Sequence, residues 1–188
     1  MVTSVLWPTK QQLILSAILR QTSDGRALSW VNQTQWAAAL VGGILSLIHP
    51  QQYVIGRMAL LKVVERPDCV SYLSDVKNIL RFWASPFTAA SVVVNRQTPV
   101  HRDIQGRHPW MDMLLTYGPN QGARMELRSL GVRLSYEPGT MVAICGKVVP
   151  HGVSDCVGER ACIAYYMRDM VHARLQIPAG TWMNTYLL

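Results

Sequence analysis

Apolar positions recur at helical spacing through roughly the first 85 residues and alternate singly through the next 85. Pro8, followed by Leu13, Ile14, Leu15, Ala17, Ile18 and Leu19, predicts a helix over 8–21, with proline tolerated in its first turn. Ser23-Asp24-Gly25 then predicts a loop over 22–32. A second helix is expected from Gln33 to Ile48, stopping before Pro50. A third starts at Pro50 with Tyr53, Val54, Met58, Leu61 and Val64 on its apolar side, and a fourth covers Tyr72 to Trp83.

From Thr88 the pattern is that of strands. Thr88–Asn95 is small and β-branched, and Trp110–Tyr117 is closed by the turn Gly118-Pro119-Asn120-Gln121-Gly122. Residues 123–128 and 132–136 alternate strictly, and Met141–Cys145 and Arg160–Met167 follow. Short strands about ten residues apart predict a sandwich or barrel. The expected architecture is α+β, a single domain over 1–188. Residues 1–85 are helical support, 86–170 a jelly-roll core and 171–188 a C-terminal tail, and the helical half is expected to pack against one sheet.

Composition changes this picture little. An apolar fraction of 49% with 15% charged residues describes a packed chain and excludes disorder. The net charge of +7 comes partly from only 11 acidic residues, and it makes an anionic partner plausible. Four cysteines (Cys69, Cys145, Cys156, Cys162) have no Cys-x-x-Cys spacing, and Met1–Pro8 lacks the blocks of a secretory leader, so reduced thiols inside a cell are expected. The longest apolar run, Trp36–Ile48, is too short to span a bilayer and reads as a buried core helix.

The candidate chemistry lies in His101-Arg102-Asp103, His151 and, nine residues on, Arg160. Two histidines and a carboxylate form a ligand set that leaves positions open on a non-haem Fe(II). In extended backbone His101 and Asp103 share a face, so both can reach one metal. The 47 residues between Asp103 and His151 hold about four short strands, enough to wind a double-stranded jelly roll and return the chain to its start. Arg160 shares a strand face with Cys162, Ala164 and Tyr166, where a charge needs a partner; a carboxylate bound in bidentate fashion fits, and an ion pair with Glu159 or Asp155 is the plainer alternative.

Val94-Asn95-Arg96, His101-Arg102-Asp103, Leu114-Leu115-Thr116-Tyr117-Gly118, Pro138-Gly139-Thr140, His151-Gly152-Val153 and Gly158-Glu159-Arg160 together resemble the Fe(II)/2-oxoglutarate oxygenases, and within them the TET/JBP branch, in particular its compact fungal, transposon-associated members. The resemblance covers residues 86–170 well and the preceding helices loosely. It implies that His101, Asp103 and His151 bind Fe(II) and are the catalytic set. Arg160 would pair with the distal carboxylate of 2-oxoglutarate, Arg96 would help to fix that co-substrate, and Arg168 is the fallback for it. His108 would touch co-substrate or substrate, or stand as a solvated loop residue; Asp112 would orient a ligand histidine or be structural.

The implied reaction uses O2 and 2-oxoglutarate and passes through an Fe(IV)-oxo species to hydroxylate the methyl group of 5-methylcytosine in DNA, once or repeatedly. A duplex base has to be flipped out for this, at about a few kcal/mol. Methylated DNA is then the partner and the nucleus the compartment. Arg102, Arg107, Lys147 and Arg174 are candidates for a basic surface, Trp110 or Tyr166 for stacking on the base unless they are core, and His172 for the base pocket. The same ligand set also suits a 2-oxoglutarate oxygenase acting on N6-methyladenine, another alkylated base or a protein side chain. A catalytically inactive jelly-roll binding module and a zinc hydrolase are further readings; Arg160 weighs against the last, which has no evident need for a cation there.

Overall fold

The computed structural model describes residues 2–4, 6–8, 12–20 and 25–183. The chain divides into two compact units: Met1–Val2 with Ala90–Tyr166, and Thr3–Ala89 with Met167–Leu188.

The first unit is the jelly roll. Its strands are β4 (Ala89–Val94), β5 (Thr98–His101), β6 (Asp112–Tyr117), β7 (Arg124–Leu127), β8 (Val132–Ser135), β9 (Met141–Ile144), β10 (His151–Val153) and β11 (Ala161–Tyr166). With β1 (Val2–Ser4) they form two sheets, ordered β1-β4-β11-β6-β9 and β5-β10-β7-β8. The pairings β5–β10, β10–β7, β7–β8, β11–β6 and β6–β9 are antiparallel, as expected of a jelly roll. Ala123, Met125, Leu127, Tyr136, Ile144 and Cys162 form the buried cluster of this unit. Four strands, β6 to β9, separate Asp103 from His151, as the spacing predicts. The strands β5 and β10 were not legible in the sequence: both are short, and each carries a polar histidine at the point where alternation would have to start or stop.

The second unit is mainly helical: α1 (Ala17–Arg20), α2 (Arg26–Gln33), α3 (Gln35–Ile48), α4 (Pro50–Glu65), α5 (Leu73–Leu80) and α6 (Asp169–Arg174). The helix expected over 8–21 is reduced to α1. Instead β2 (Trp7–Pro8) pairs with β3 (Leu13–Ile14), and Leu13 also bridges Val70, so backbone pairing to distant residues overrides helical spacing. Residues 9–11 and 21 of that expectation lie outside the described residues. The loop expected over 22–32 is largely helix, α2 starting after Gly25 and burying Ala27 and Val31 four residues apart; 22–24 lie outside the described residues. The tail begins with α6.

Two apolar faces are reversed relative to the sequence reading. The third helix was expected to bury Val54, Met58, Leu61 and Val64, but these are exposed, and α4 buries Ile55, Gly56, Ala59, Leu60 and Val63. Trp36–Ile48 is not a buried core helix either: α3 buries Ala38, Val41, Gly42 and Leu45 and leaves Trp36, Leu40 and Leu47 in solvent. Small residues decide the buried side. A Cβ on Gly56 would collide with the Pro86 carbonyl and the Met167 side chain, and one on Gly42 would meet Pro86 Cδ at 3.0 Å, so the backbones approach too closely for bulky side chains between them.

Candidate metal centre

Strand register brings the two histidines together. In the antiparallel β5–β10 pair His151 lies directly opposite His101, and their ring centroids are 4.5 Å apart. Asp103 follows β5 by two residues; its backbone N–H donates to the Gly146 carbonyl at 3.0 Å, which turns its carboxylate back toward the pair. Asp103 Oδ1 is 3.6 Å from His101 Nε2, and Oδ2 is 3.6 Å from His151 Nε2. One ligand atom from each residue lies within 4.8 Å of the others, and this is the metal-competent cluster found among the described residues. Neighbouring donors at about 2.1 Å from one ion sit about 3 Å apart, so side-chain adjustment that draws the three donors together would close the set on a cation.

Both rings are held in the form that coordination needs. His101 Nδ1 lies 2.9 Å from the Pro99 carbonyl and His151 Nδ1 lies 3.1 Å from that of Val149. A carbonyl only accepts, so each Nδ1 carries the proton and each Nε2 lone pair faces the cluster. These bonds also answer the question about Asp112: the acceptors for the histidines are backbone carbonyls. Asp112 instead sits beneath Asp103. Burial, and then the Asp103 charge, push its carboxyl well above the usual range, with a bond from the Gly146 backbone opposing them. A Cβ on Gly146 would fall 2.5 Å from Asp103 Oδ2 and 2.6 Å from Asp112 Oδ2, so only glycine fits between the two carboxyl groups.

Arg160 immediately precedes β11 and is 3% exposed. Asn95, in the left-handed region at φ 47°, accepts the Arg160 N–H at Oδ1 (2.8 Å) and donates its own N–H to the Arg160 carbonyl (2.8 Å). The guanidinium donates through Nη2 to the Arg96 carbonyl and lies 5.9 Å from the centre of the Tyr136 ring, while its Nε has no hydrogen-bond partner among the described residues. Neither Glu159 nor Asp155 pairs with it, and no carboxylate among the described residues does. Tyr136 Oη and Cys162 Sγ are 3.3 Å apart beside it; burial raises both groups, and the Arg160 charge partly offsets this. On the same sheet face Thr116, opposite Cys162 in the β6–β11 register, has a buried hydroxyl that also lacks a partner among the described residues. A buried cation beside unsatisfied polar atoms is the environment that a carboxylate ligand completes.

The other sequence candidates are dispersed. Arg96 is exposed, and its carbonyl, not its side chain, meets Arg160. Arg168 does not continue the strand face of Arg160: β11 ends at Tyr166, and Arg168 caps α6 in the helical unit, its N–H donating to Thr88 Oγ1. His172 and Arg174 lie on α6 in that unit as well, His172 fully buried. Trp110 is buried with the Arg107 guanidinium 5.1 Å from its ring centre, and Tyr166 Oη is 3.1 Å from Ser91 Oγ, so both are engaged within the fold. Arg102 and His108 are exposed. Lys147 is no free surface cation: Nζ donates to the carbonyls of Ile104 (3.0 Å) and Gly106 (2.8 Å), clamping the loop that follows Asp103.

Sequence reasoning missed Asn95, Tyr136, Gly146 and the clamping role of Lys147. An asparagine directly after a β-branched strand was the available signal for the first, since asparagine tolerates the left-handed region. The others depend on contacts across strands and leave no local trace.

A family model for the oxygenase domain of the 2OGFeDO superfamily, TET/JBP, matches residues 14–169. No curated protein matches the chain. Among solved structures, NgTET1 in complex with 5mC DNA is similar with a TM-score of 0.66 at 11% identity, covering 90% of this chain and 61% of that one. The chain thus spans about three fifths of NgTET1, and the likeness is one of fold. A Cupin 2 conserved barrel domain protein from Salinispora arenicola CNS-205 is similar over 47% of this chain and 70% of its own, with 13% identity and a TM-score of 0.34, too low to bear on the argument. With the model spanning the helices, the histidine pair and Arg160 alike, the chain belongs to the TET/JBP family of Fe(II)- and 2-oxoglutarate-dependent dioxygenases.

Proposed function

We propose that the chain hydroxylates the methyl group of 5-methylcytosine in DNA, with His101, Asp103 and His151 holding Fe(II) and Arg160 holding 2-oxoglutarate. The observation that carries the iron and co-substrate half is the buried Arg160 guanidinium, without a carboxylate partner among the described residues, in the same β unit as a His-Asp-His cluster whose lone pairs converge. Bound Fe(II) would couple oxidation of 2-oxoglutarate by O2, giving succinate and CO2, to conversion of a C–H bond into an alcohol.

The chain's residues have the remaining tasks. Pro99 and Val149 carbonyls fix the histidine tautomers, the Gly146 carbonyl sets the Asp103 backbone, and Asn95 locks the backbone that carries Arg160. Arg160 would grip the distal carboxylate through two N–H groups, and the apolar wall around Tyr136, Met125 and Ile144 would keep water from it. Arg96 and Arg168 are expected to contribute less, one presenting a carbonyl and the other standing outside the strand.

Three facts support DNA as the substrate: the net charge of +7, the family, and the 5mC DNA bound by NgTET1. Arg102 and His108 are exposed in the loop after β5, where a basic contact to phosphate is available; Arg107, Trp110, Tyr166 and His172 would act on the substrate only after rearrangement. The nucleus is the compartment that this substrate implies.

Methylated DNA incubated with Fe(II), 2-oxoglutarate and O2, digested to nucleosides and read by mass spectrometry, should yield 5-hydroxymethylcytosine, and His101→Ala should abolish it. Succinate released without any modified cytosine would sink the 5-methylcytosine reading and leave an oxygenase acting on N6-methyladenine, another alkylated base or a protein side chain. Absence of succinate as well would return the chain to an inactive binding module.

A further inference from the structure

The outward faces of α3 and α4 form an apolar surface that the oxygenase reading does not use. Trp36 is 87% exposed, Leu40 57% and Leu47 72% on α3; Val54, Met58 and Leu61, the last 56% exposed, line α4. Single exposed apolar residues are ordinary, but a contiguous stripe of this size on two neighbouring helices marks an interaction site. Neither helix is long and apolar enough to cross a membrane. We propose that this face is the interface of a symmetric dimer, its occupant being the same face of a second copy of this chain.

Spacing is the first argument. The α3 stripe runs 36, 40, 43, 47, with intervals of four, three and four, so it reads the same in both directions. Laid antiparallel on itself about a two-fold axis at its centre, it puts Trp36 against Leu47 and Leu40 against Gly43. Gly43 is exposed, with no atom within 4 Å of where a Cβ would stand, so it offers a hole for the leucine. The α4 stripe 54, 58, 61 is centred near Met58 and pairs Val54 with Leu61 under the same operation. In the proposed dimer one axis crosses both helices. The two stripe centres lie about 11 and 13 Å along their helices from the His49 corner that joins them, at a rise of about 1.5 Å per residue.

Charge and area agree with the spacing. Residues 35–48 contain no ionisable side chain, so the α3 halves of two chains of net charge +7 can meet without opposing like charges and offer an acidic partner nothing to recognise, while the exposed Arg57 beside Met58 on α4 has to turn its guanidinium out to the rim. The six side chains expose roughly 600 Å2, and a polar rim would bring this near the ~800 Å2 per partner of a standard stable interface.

Sedimentation equilibrium of the full chain at micromolar concentration should give a dimer. Leu40→Glu with Leu61→Glu should raise the dissociation constant by at least about a hundredfold, leaving Fe(II) and 2-oxoglutarate binding and the far-ultraviolet spectrum unchanged. As an independent readout, Met58→Cys, placed nearly opposite itself, should give a reductant-reversible covalent dimer that the parent chain does not form under the same oxidant. A wild-type chain that stays monomeric overturns the proposal, whether the face is then found on lipid vesicles or covered by another protein. A dimer indifferent to the double glutamate variant and not linked through Met58→Cys overturns it equally.

Discussion

Replacing Arg160 by methionine separates a ligand-binding arginine from a structural one, because the two roles predict opposite effects on stability. The guanidinium is 3% exposed, its Nε is unsatisfied among the described residues, and its Nη2 donates to one backbone carbonyl. Removing one partner of a buried, hydrogen-bonded charge pair costs about 2–5 kcal/mol. If that partner is the distal carboxylate of 2-oxoglutarate, the dissociation constant rises by about 30- to 5000-fold. In the ligand-free chain the balance differs. Methionine forfeits one hydrogen bond to a charged group, about 1.5–3 kcal/mol, but relieves the burial of an unpaired charge, which costs several kcal/mol. The ligand-free variant should therefore be at least as stable as the parent. Anaerobic titration of the Fe(II) protein with 2-oxoglutarate, followed by the visible charge-transfer band and by calorimetry, gives the affinity, and thermal unfolding without ligand gives the stability. Wild-type affinity in the variant refutes the assignment, and a large loss of stability with little change in affinity would make Arg160 a structural residue. Arg168→Met, outside the strand, is expected to leave the affinity unchanged.

Three further outcomes follow from the geometry. Gly146→Ala forces a methyl group against Asp103 and Asp112; overpacking of this kind costs about 1–3 kcal/mol, and a matching loss of Fe(II) affinity, at least about tenfold, should appear in metal titrations. Lys147→Met frees the Ile104 and Gly106 carbonyls, so the loop after Asp103 should loosen. KM for duplex methylated DNA should rise several-fold, with Fe(II) affinity unaltered, and a fall in Fe(II) affinity would show that the clamp serves the metal instead. Burial pushes the Cys162 thiol up, so at pH 8 the native chain keeps it protonated and iodoacetamide labels it only on unfolding; rapid native labelling at pH 8, read by peptide mass spectrometry, contradicts this.

The metal set was legible in the sequence because it depends on quantities that a sequence carries. His101 and Asp103 are two apart, and the interval to His151 counts strands, which alternation reveals at β6 to β9. The position of Arg160 at the head of a strand was legible through strand phase for the same reason, and Arg168 does not share its strand face because phase stops at Tyr166, where the chain turns into α6. The faces of α3 and α4 could not be read. Hydrophobicity identifies an amphipathic side but does not say which of two apolar sides a glycine or alanine seam lets approach a neighbour, and here Gly42, Gly56 and Ala59 are buried while the larger Trp36, Leu40 and Met58 stay outside. Lys147 was misread on similar grounds: a lysine in a turn looks like a surface charge until the carbonyls it clamps are known.

Burial around the proposed metal centre is graded, and the gradient accounts for the division of labour in the proposed reaction. His151 and Arg160 are buried, while the side chains of His101 and Asp103 are nearly half exposed. A cation binds a carboxylate most tightly where water is excluded, so the buried Arg160 is suited to the proposed co-substrate role. The proposed DNA substrate would approach where the ligands meet solvent, at His101 and Asp103, and there the chain offers the clamped loop with Arg102 and the exposed Ile104. The dry side is built from strand register and core packing, which fix positions within the fold. The wet side is built from one short loop held by a single lysine, so that is where substitutions should change which methyl group is presented to the metal without disturbing how the metal is held.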